Sequence, residues 1–247
     1  MSRSRQSVIT RAIAAASLPI CVGIATLGIP AASSQQPDES SVIQHIDAAV
    51  KARLDAIAQY TVTEHYAVYR NKDEASPAAE MTVKTTYLKK TGKSYSTTSQ
   101  SGSAILLKEV LGTILENEQR MSQPGNRESA WITSANYQMK IKPGGNQSIA
   151  GRDCIALDII PRHSTTFLFT GTLWVDSKDY SIVQLEGVAS KSASFITGPA
   201  QVSRQYATVS GFPMATHAKA VSTSFLLGQT IVKIDYQDYQ TQLAPTK

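Results

Sequence analysis

From Trp131 to its last residues the chain is a succession of short extended runs broken by turn signals, and this texture limits the fold more than anything else in the sequence. Residues 137–141, 154–160, 166–175 and 182–185 are rich in β-branched and aromatic side chains, the composition that suits a pleated, half-buried surface. Between them stand Pro143-Gly-Gly-Asn146 and Asp176-Ser-Lys-Asp179, both turn-forming. Runs at 201–209, 218–225 and 230–236 continue the series, parted by Gly211-Phe-Pro213 and by Gly228. Strands this short and this closely spaced pair with their chain neighbours, which makes an antiparallel meander.

Two segments ahead of the meander have a different period. Val42, Ile46, Ala49, Val50, Leu54 and Ile57 recur at spacings of three and four behind Ser40-Ser41, which predicts an amphipathic helix. It hands over near Tyr60 to a strand at 61–69, and a polar turn at 71–79 leads to a hairpin of strands 80–89 and 94–99 joined by Lys90-Thr-Gly-Lys93. Residues 103–121 then place Ile105, Leu106, Val110, Ile114 and Leu115 along one stripe, a second amphipathic helix. The expectation is an α+β chain of about nine to eleven strands and two main helices, its sheet curled into an open or closed barrel. No linker or internal repeat divides it, so residues 34–247 read as a single domain.

The N-terminal end is set apart. Arg3, Arg5 and Arg11 precede an apolar stretch at 12–29, then the small residues Ala31-Ala32-Ser33-Ser34 and polar sequence. That is the order of a secretory signal peptide, 1–33, cleaved near Ser33 or Ser34; a retained membrane anchor is the competing reading. Cys21 is preceded by Ile20, not by the small residue a lipid-modification site requires, and no twin-arginine pair is present. Three of the 24 basic residues and none of the 19 acidic ones lie in this stretch, so the formal charge of +5 falls to +2 without it. No nucleic-acid partner is implied. The only cysteine left is Cys154, which excludes an internal disulfide. It alternates with Ile155, Leu157 and Ile159 and so sits on the opposite strand face, as a buried, inert thiol.

Chemistry-bearing constellations are wanting. The chain has four histidines, His45, His65, His163 and His217, no two of them at the helix spacings that share a metal. There is no G-x-S-x-G, and Ser103 reads as a helix N-cap. The Pro-Gly-Gly-Asn turn lacks the Lys-Ser/Thr of a phosphate loop, Asn146-Gln-Ser148 is a formal glycosylation acceptor, and Asp176 and Asp179 cap their own turn. No catalytic residue, no metal ligand and no cofactor is expected. What remains is apolar surface. Phe167, Phe169, Leu173 and Val175 fall on one face of their run with Leu168 and Trp174 on the other, and a strand apolar on both faces needs cover on both. The helices either plug the concave sheet as plain core or form a lid over a greasy cavity; periodicity serves both.

Ile132-Thr-Ser-Ala-Asn-Tyr137, Gly151-Arg-Asp-Cys-Ile-Ala-Leu-Asp-Ile-Ile-Pro-Arg162, Gly171-Thr-Leu-Trp-Val-Asp176, Tyr180-Ser-Ile-Val-Gln-Leu-Glu-Gly187 and the ending Ile234-Asp-Tyr-Gln-Asp-Tyr239 resemble the periplasmic outer-membrane lipoprotein-sorting proteins of the LolA/LolB-like superfamily. The resemblance spans most of residues 40–240. It implies a LolA-like half-barrel, an incomplete and strongly curved antiparallel sheet with helices over its open side, whose inner wall holds acyl chains. Burial at roughly 0.8 kcal/mol per CH₂ suffices to retain a lipid there. The residues this assigns to the ligand are Ile46, Leu54, Leu106, Val110, Ile114, Phe167, Phe169 and Leu173, each of which also has a core reading. The implied protein is an exported, periplasmic, monomeric carrier of a lipid or lipoprotein acyl chain, not an enzyme, with a membrane-bound donor or acceptor protein as a further partner. The rival is a sensor or scaffold domain that binds a protein through its surface, its cavity closed. A secreted hydrolase stands third, and would need His163 or His217 beside a serine.

Overall fold

The structure, a computed structural model, describes residues 38–245 apart from 72, 192–197 and 225–227. The expectations for 1–33, Cys21 included, and for Phe225 lie outside the described residues. Helix α1, Glu39–Ala56, starts where the Asp38 carboxylate accepts from the Ser41 amide at 3.1 Å, an N-cap that satisfies one of the free amides of the first turn. Its two fully buried residues, Val42 and Ile46, each contribute about 1.5–3 kcal/mol by burial. The helix runs without a loop into β1, Ile57–Arg70, which starts four residues earlier than the β-branched run suggests.

β1 forms a meander with β2, Ala79–Leu88, and β3, Gly92–Gly102. The chain then leaves the sheet at 103–136 and returns as β4 (Tyr137–Ile141), β5 (Gln147–Ile149), β6 (Arg152–Pro161), β7 (Phe169–Asp176), β8 (Ile182–Ala189), β9 (Gln201–Val209), β10 (Phe212–Ser224) and β11 (Gly228–Leu243). All pairings are antiparallel, and β11 closes back onto β1 with Tyr66 opposite Ile234. The order is β3-β2-β1-β11-β10-β9-β8-β7-β6-β4, with β5 on β6. β3 and β4 do not pair, so the sheet is open: the incomplete barrel that the resemblance implies. Because β3 and β4 are its two edges, the segment 103–136 has to cross from one edge to the other, which carries it over the open side.

Register shows which face is inside. Met81, Tyr66, Ile234, Ala218, Arg204, Leu185, Leu173, Leu157 and Ile141 are successive partners across nine strands, and directly opposed residues point to one face. Every member but Arg204 is buried. The neighbouring row of the other face, Thr82, His65, Asp235, His217, Gln205 and Gln184, is polar. On the inner face Gly171 opposes Gly187, and a Cβ on Gly171 would come within 2.0 Å of the Glu186 carbonyl oxygen. Only glycine permits that approach of two strands.

Two sequence expectations are corrected. The second helix is not one α-helix over 103–121. Leu106–Gly112 is π-helical and only Thr113–Ser122 is α2. A π turn bonds i to i+5, and the buried pair is accordingly Leu106 with Leu111, five apart, while Ile105 is 73% exposed. The strand read at 166–175 begins only at Phe169. Thr165 Oγ1 accepts from the Phe167 and Leu168 amides at 3.1 and 3.2 Å, holding 165–168 as a turn and breaking the alternation, so Leu168 is buried in the core and not on an outer face. Cys154 is buried as expected, and burial pushes its thiol above the usual range.

Candidate functional site

The apolar stripe of α1 is divided in two by what lies beneath it. Val42 and Ile46 pack into a solid core with Tyr137, Leu157, Leu173 and Leu185 of the β4–β8 half. Ala49, Val50, Arg53 and Leu54, one and two turns on, face a cavity of about 360 Å³, at the small end of the range of ~300–1,000 Å³ for ligand pockets. Its wall draws on Lys93 of β3 and on Phe169 of β7, strands near opposite ends of the sheet order, so the sheet curls around it. Met121 and Trp131 of the crossing segment line it as well, and Phe167, Phe169 and Leu185 line it from the other half. A second pocket of about 200 Å³ shares Leu54, Tyr60, Lys93 and Trp131 with the first.

The cover is fixed by polar contacts. Asp47 of α1 accepts from the Ser134 amide at 2.8 Å and from its hydroxyl at 2.5 Å. Arg53 Nε donates to the Pro213 carbonyl at 2.8 Å. Arg127 Nη1 donates to the Lys89 carbonyl at 2.7 Å and to the Tyr87 phenol at 3.0 Å. α2 is tied to β3 where Ser122 Oγ accepts from the Lys93 amide at 2.7 Å and where Lys93 Nζ meets Glu118 at 2.5 Å.

That last pair belongs to an ionic cluster set into the cavity wall. Lys93 Nζ also lies 3.8 Å from Glu64, whose side chain is 1% exposed and accepts from the Tyr66 hydroxyl. Tyr95 donates to Glu118 at 3.2 Å. Burial alone would lower the Lys93 pKa, but Glu118, Tyr60 and Glu64 outweigh it and hold the ammonium well above its usual range. Burial likewise acts to raise Glu118, and Lys93 and Arg204 reverse it to a net lowering. Arg204 stands apart. It lines the same cavity, its Nε–H is buried without an acceptor, and its guanidinium bonds to Tyr206. Among the described residues no carboxylate lies within ion-pair distance, 4.0 Å, of it. The cavity lining thus holds three cations, Arg53, Lys93 and Arg204, against two carboxylates, Glu64 and Glu118.

Of the eight residues assigned to the ligand from sequence, Leu54, Phe167 and Phe169 line the cavity. Ile46 and Leu173 lie in the core beneath the first turns of α1. Leu106, Val110 and Ile114 pack with the β1–β2 half of the core. The charged lining was not singled out from sequence, although a signal existed. Glu64 sits between Val62 and Tyr66, and Arg204 between Val202 and Tyr206, at i±2 on an otherwise apolar strand face. The histidines are elsewhere. His217 Nδ1 is 2.6 Å from Asp235, His45 stacks on Tyr180 at 4.6 Å, and among the described residues neither His163 nor His217 has a serine within hydrogen-bond distance. No group of three metal-binding side chains occurs among the described residues, and no described helix is long and apolar enough to cross a membrane.

No protein-family model and no curated protein matches the chain. Among solved structures it is similar to a LolA superfamily protein from Nitrosomonas europaea, at 13% identity and a TM-score of 0.44 over 84% of this chain and 94% of that one. It is similar to a domain from Vibrio parahaemolyticus assigned to outer membrane lipoprotein sorting, at 15% identity and a TM-score of 0.45 over 83% and 92%. A DUF1329 family protein from Desulfovibrio piger follows, at 13% identity and a TM-score of 0.41 over 83% and 95%. Function is therefore read from the cavity of this chain.

Proposed function

We propose that this chain is an exported, periplasmic binding protein that carries a lipid or lipoprotein acyl chain in the cavity between its helices and its sheet, without acting on it chemically. The observation that supports this reading is the cavity of about 360 Å³ walled by Leu54, Trp131, Phe167 and Phe169. Each methylene placed against such a wall gains roughly 0.8 kcal/mol. Leu54, Phe167 and Phe169 are the residues that touch the chain, and Ile46, Leu106, Val110, Ile114 and Leu173 hold the surrounding core in place. Loading and unloading would be served by a membrane-bound donor or acceptor protein. The test is native mass spectrometry of protein taken from its own periplasm, where co-purifying acyl species are expected. A clean apo mass, together with no uptake of added lipid, sinks the carrier and favours the sensor or scaffold. Leu54→Trp, which fills the cavity from α1, is expected to reduce lipid uptake at least tenfold while the fold persists.

A further inference from the structure

Arg204 is the one charged member of an inner row that otherwise reads Met81, Tyr66, Ile234, Ala218, Leu185, Leu173, Leu157 and Ile141. It lies mid-strand on β9, sixth of the ten strands in the sheet order, and so is a charge drawn inside, not one at the rim. A cation in such a place is ordinarily matched by a carboxylate. Lys93 has two, Glu118 at 2.5 Å and Glu64 at 3.8 Å. Arg204 has none within ion-pair distance among the described residues: it bonds to the neutral Tyr206 phenol, interacts with Glu118 only at longer range, and its Nε–H is an orphaned donor. An unmet buried donor calls for an explanation. The lining as a whole carries one positive charge more than negative, which a monoanion would balance.

We propose that Arg204 anchors the head of the ligand, and that this ligand is a single-chain acyl amphiphile ending in a carboxylate. The inference rests on the carrier reading above and adds the chemistry of the head. A guanidinium presents a planar fork that matches the two oxygens of a carboxylate. The tail lies along Phe167, Phe169, Ile182 and Leu54, which share the cavity with Arg204. The volume, small for a ligand pocket, suits one chain better than several.

Isothermal titration calorimetry of the folded chain with dodecanoate and with dodecanol, at about pH 8 where a carboxylic acid of pKa ~4–5 is ionised, separates the two readings. Dodecanoate is expected to bind about 10- to 100-fold tighter than dodecanol, the effect of one charge-assisted hydrogen-bonded pair. Arg204→Met is expected to abolish that preference, the two probes then binding within about threefold of each other, and Arg204→Lys to keep part of it. If Arg204→Met does not fold, Arg204→Gln, neutral but polar, serves in its place. Equal affinity of the unaltered protein for the two probes, or a preference that survives loss of the guanidinium, overturns the head-group assignment and leaves the carrier standing. Binding of neither probe overturns both.

Discussion

Lys93→Met tests whether the ionic cluster, and not apolar packing alone, holds α2 over the sheet. The substitution keeps most of the side-chain volume and removes the ammonium that sits 2.5 Å from Glu118 and 3.8 Å from Glu64. Glu64 is then left with Tyr66 alone, and both carboxylates lose the cation they share. Breaking a fully buried pair costs roughly 3–5 kcal/mol. Here Glu64 is 1% exposed but Lys93 and Glu118 are 18% and 20% exposed, so water screens part of the loss and about 2–4 kcal/mol is expected. The pH dependence has a definite sign. In the unaltered protein Glu118 titrates below its ordinary value of 4.5, so its contribution is present above that value and fades as pH falls through the lowered one. In Lys93→Met, burial of Glu118 is opposed only by Arg204 and Tyr95, so most of that lowering is lost and the penalty is felt as pH rises above the ordinary value. The difference between the two proteins is therefore largest near neutrality and shrinks in acid. Urea unfolding followed by tryptophan fluorescence measures it, and Glu118→Gln in the Lys93→Met background is expected to recover at least half of the loss. A Lys93→Met cost within about 0.5 kcal/mol, the range of an ordinary surface substitution, or no recovery in the double variant, would refute the reasoning.

Gly171→Ala would place a Cβ 2.0 Å from the Glu186 carbonyl oxygen and 2.5 Å from Gly187 Cα. Neither atom belongs to a flexible side chain, so a loss of about 2–3 kcal/mol is expected in thermal or urea unfolding, against near neutrality if the strands can part. Burial, the largest cause in each case, raises the phenol pKa of Tyr60, Tyr66, Tyr95, Tyr137, Tyr236 and Tyr239 above the ordinary 10.0, that of Tyr137 to about 12. These groups hold their protons in the folded state and lose them on unfolding, so stability falls as pH rises above 10. Absorbance at the tyrosinate band is expected to show these six phenols ionising only together with unfolding; their free ionisation in the folded protein would contradict the burial described.

The meander, the two helices and the strand count were legible because alternation and helical spacing report local geometry, and local geometry is what turns and side-chain sterics fix. Leu54, Phe167 and Phe169 line the cavity, but in sequence each reads equally well as core, since periodicity serves both. Leu106, Val110 and Ile114 look no different in sequence, yet they pack into core, since the π turns of Leu106–Gly112 rotate the stripe in a way no 3.6-residue period anticipates. The break at 165–168 was hidden for a similar reason: one threonine hydroxyl, taking two amides, overrides a run of β-forming residues.

By itself the sequence determined an antiparallel, helix-covered sheet with an apolar inner face, because periodicity and turn chemistry act over a few residues. Only the tertiary structure decided which part of that face becomes solid core and which becomes cavity. Glu64, Lys93, Glu118 and Arg204 come from β1, β3, α2 and β9, and their sequence spacing says nothing of their meeting. The sheet's curl gathers three of them into one ionic cluster and sets Arg204 in the same wall without a carboxylate of its own, since side-chain charges interact through space and not along the chain.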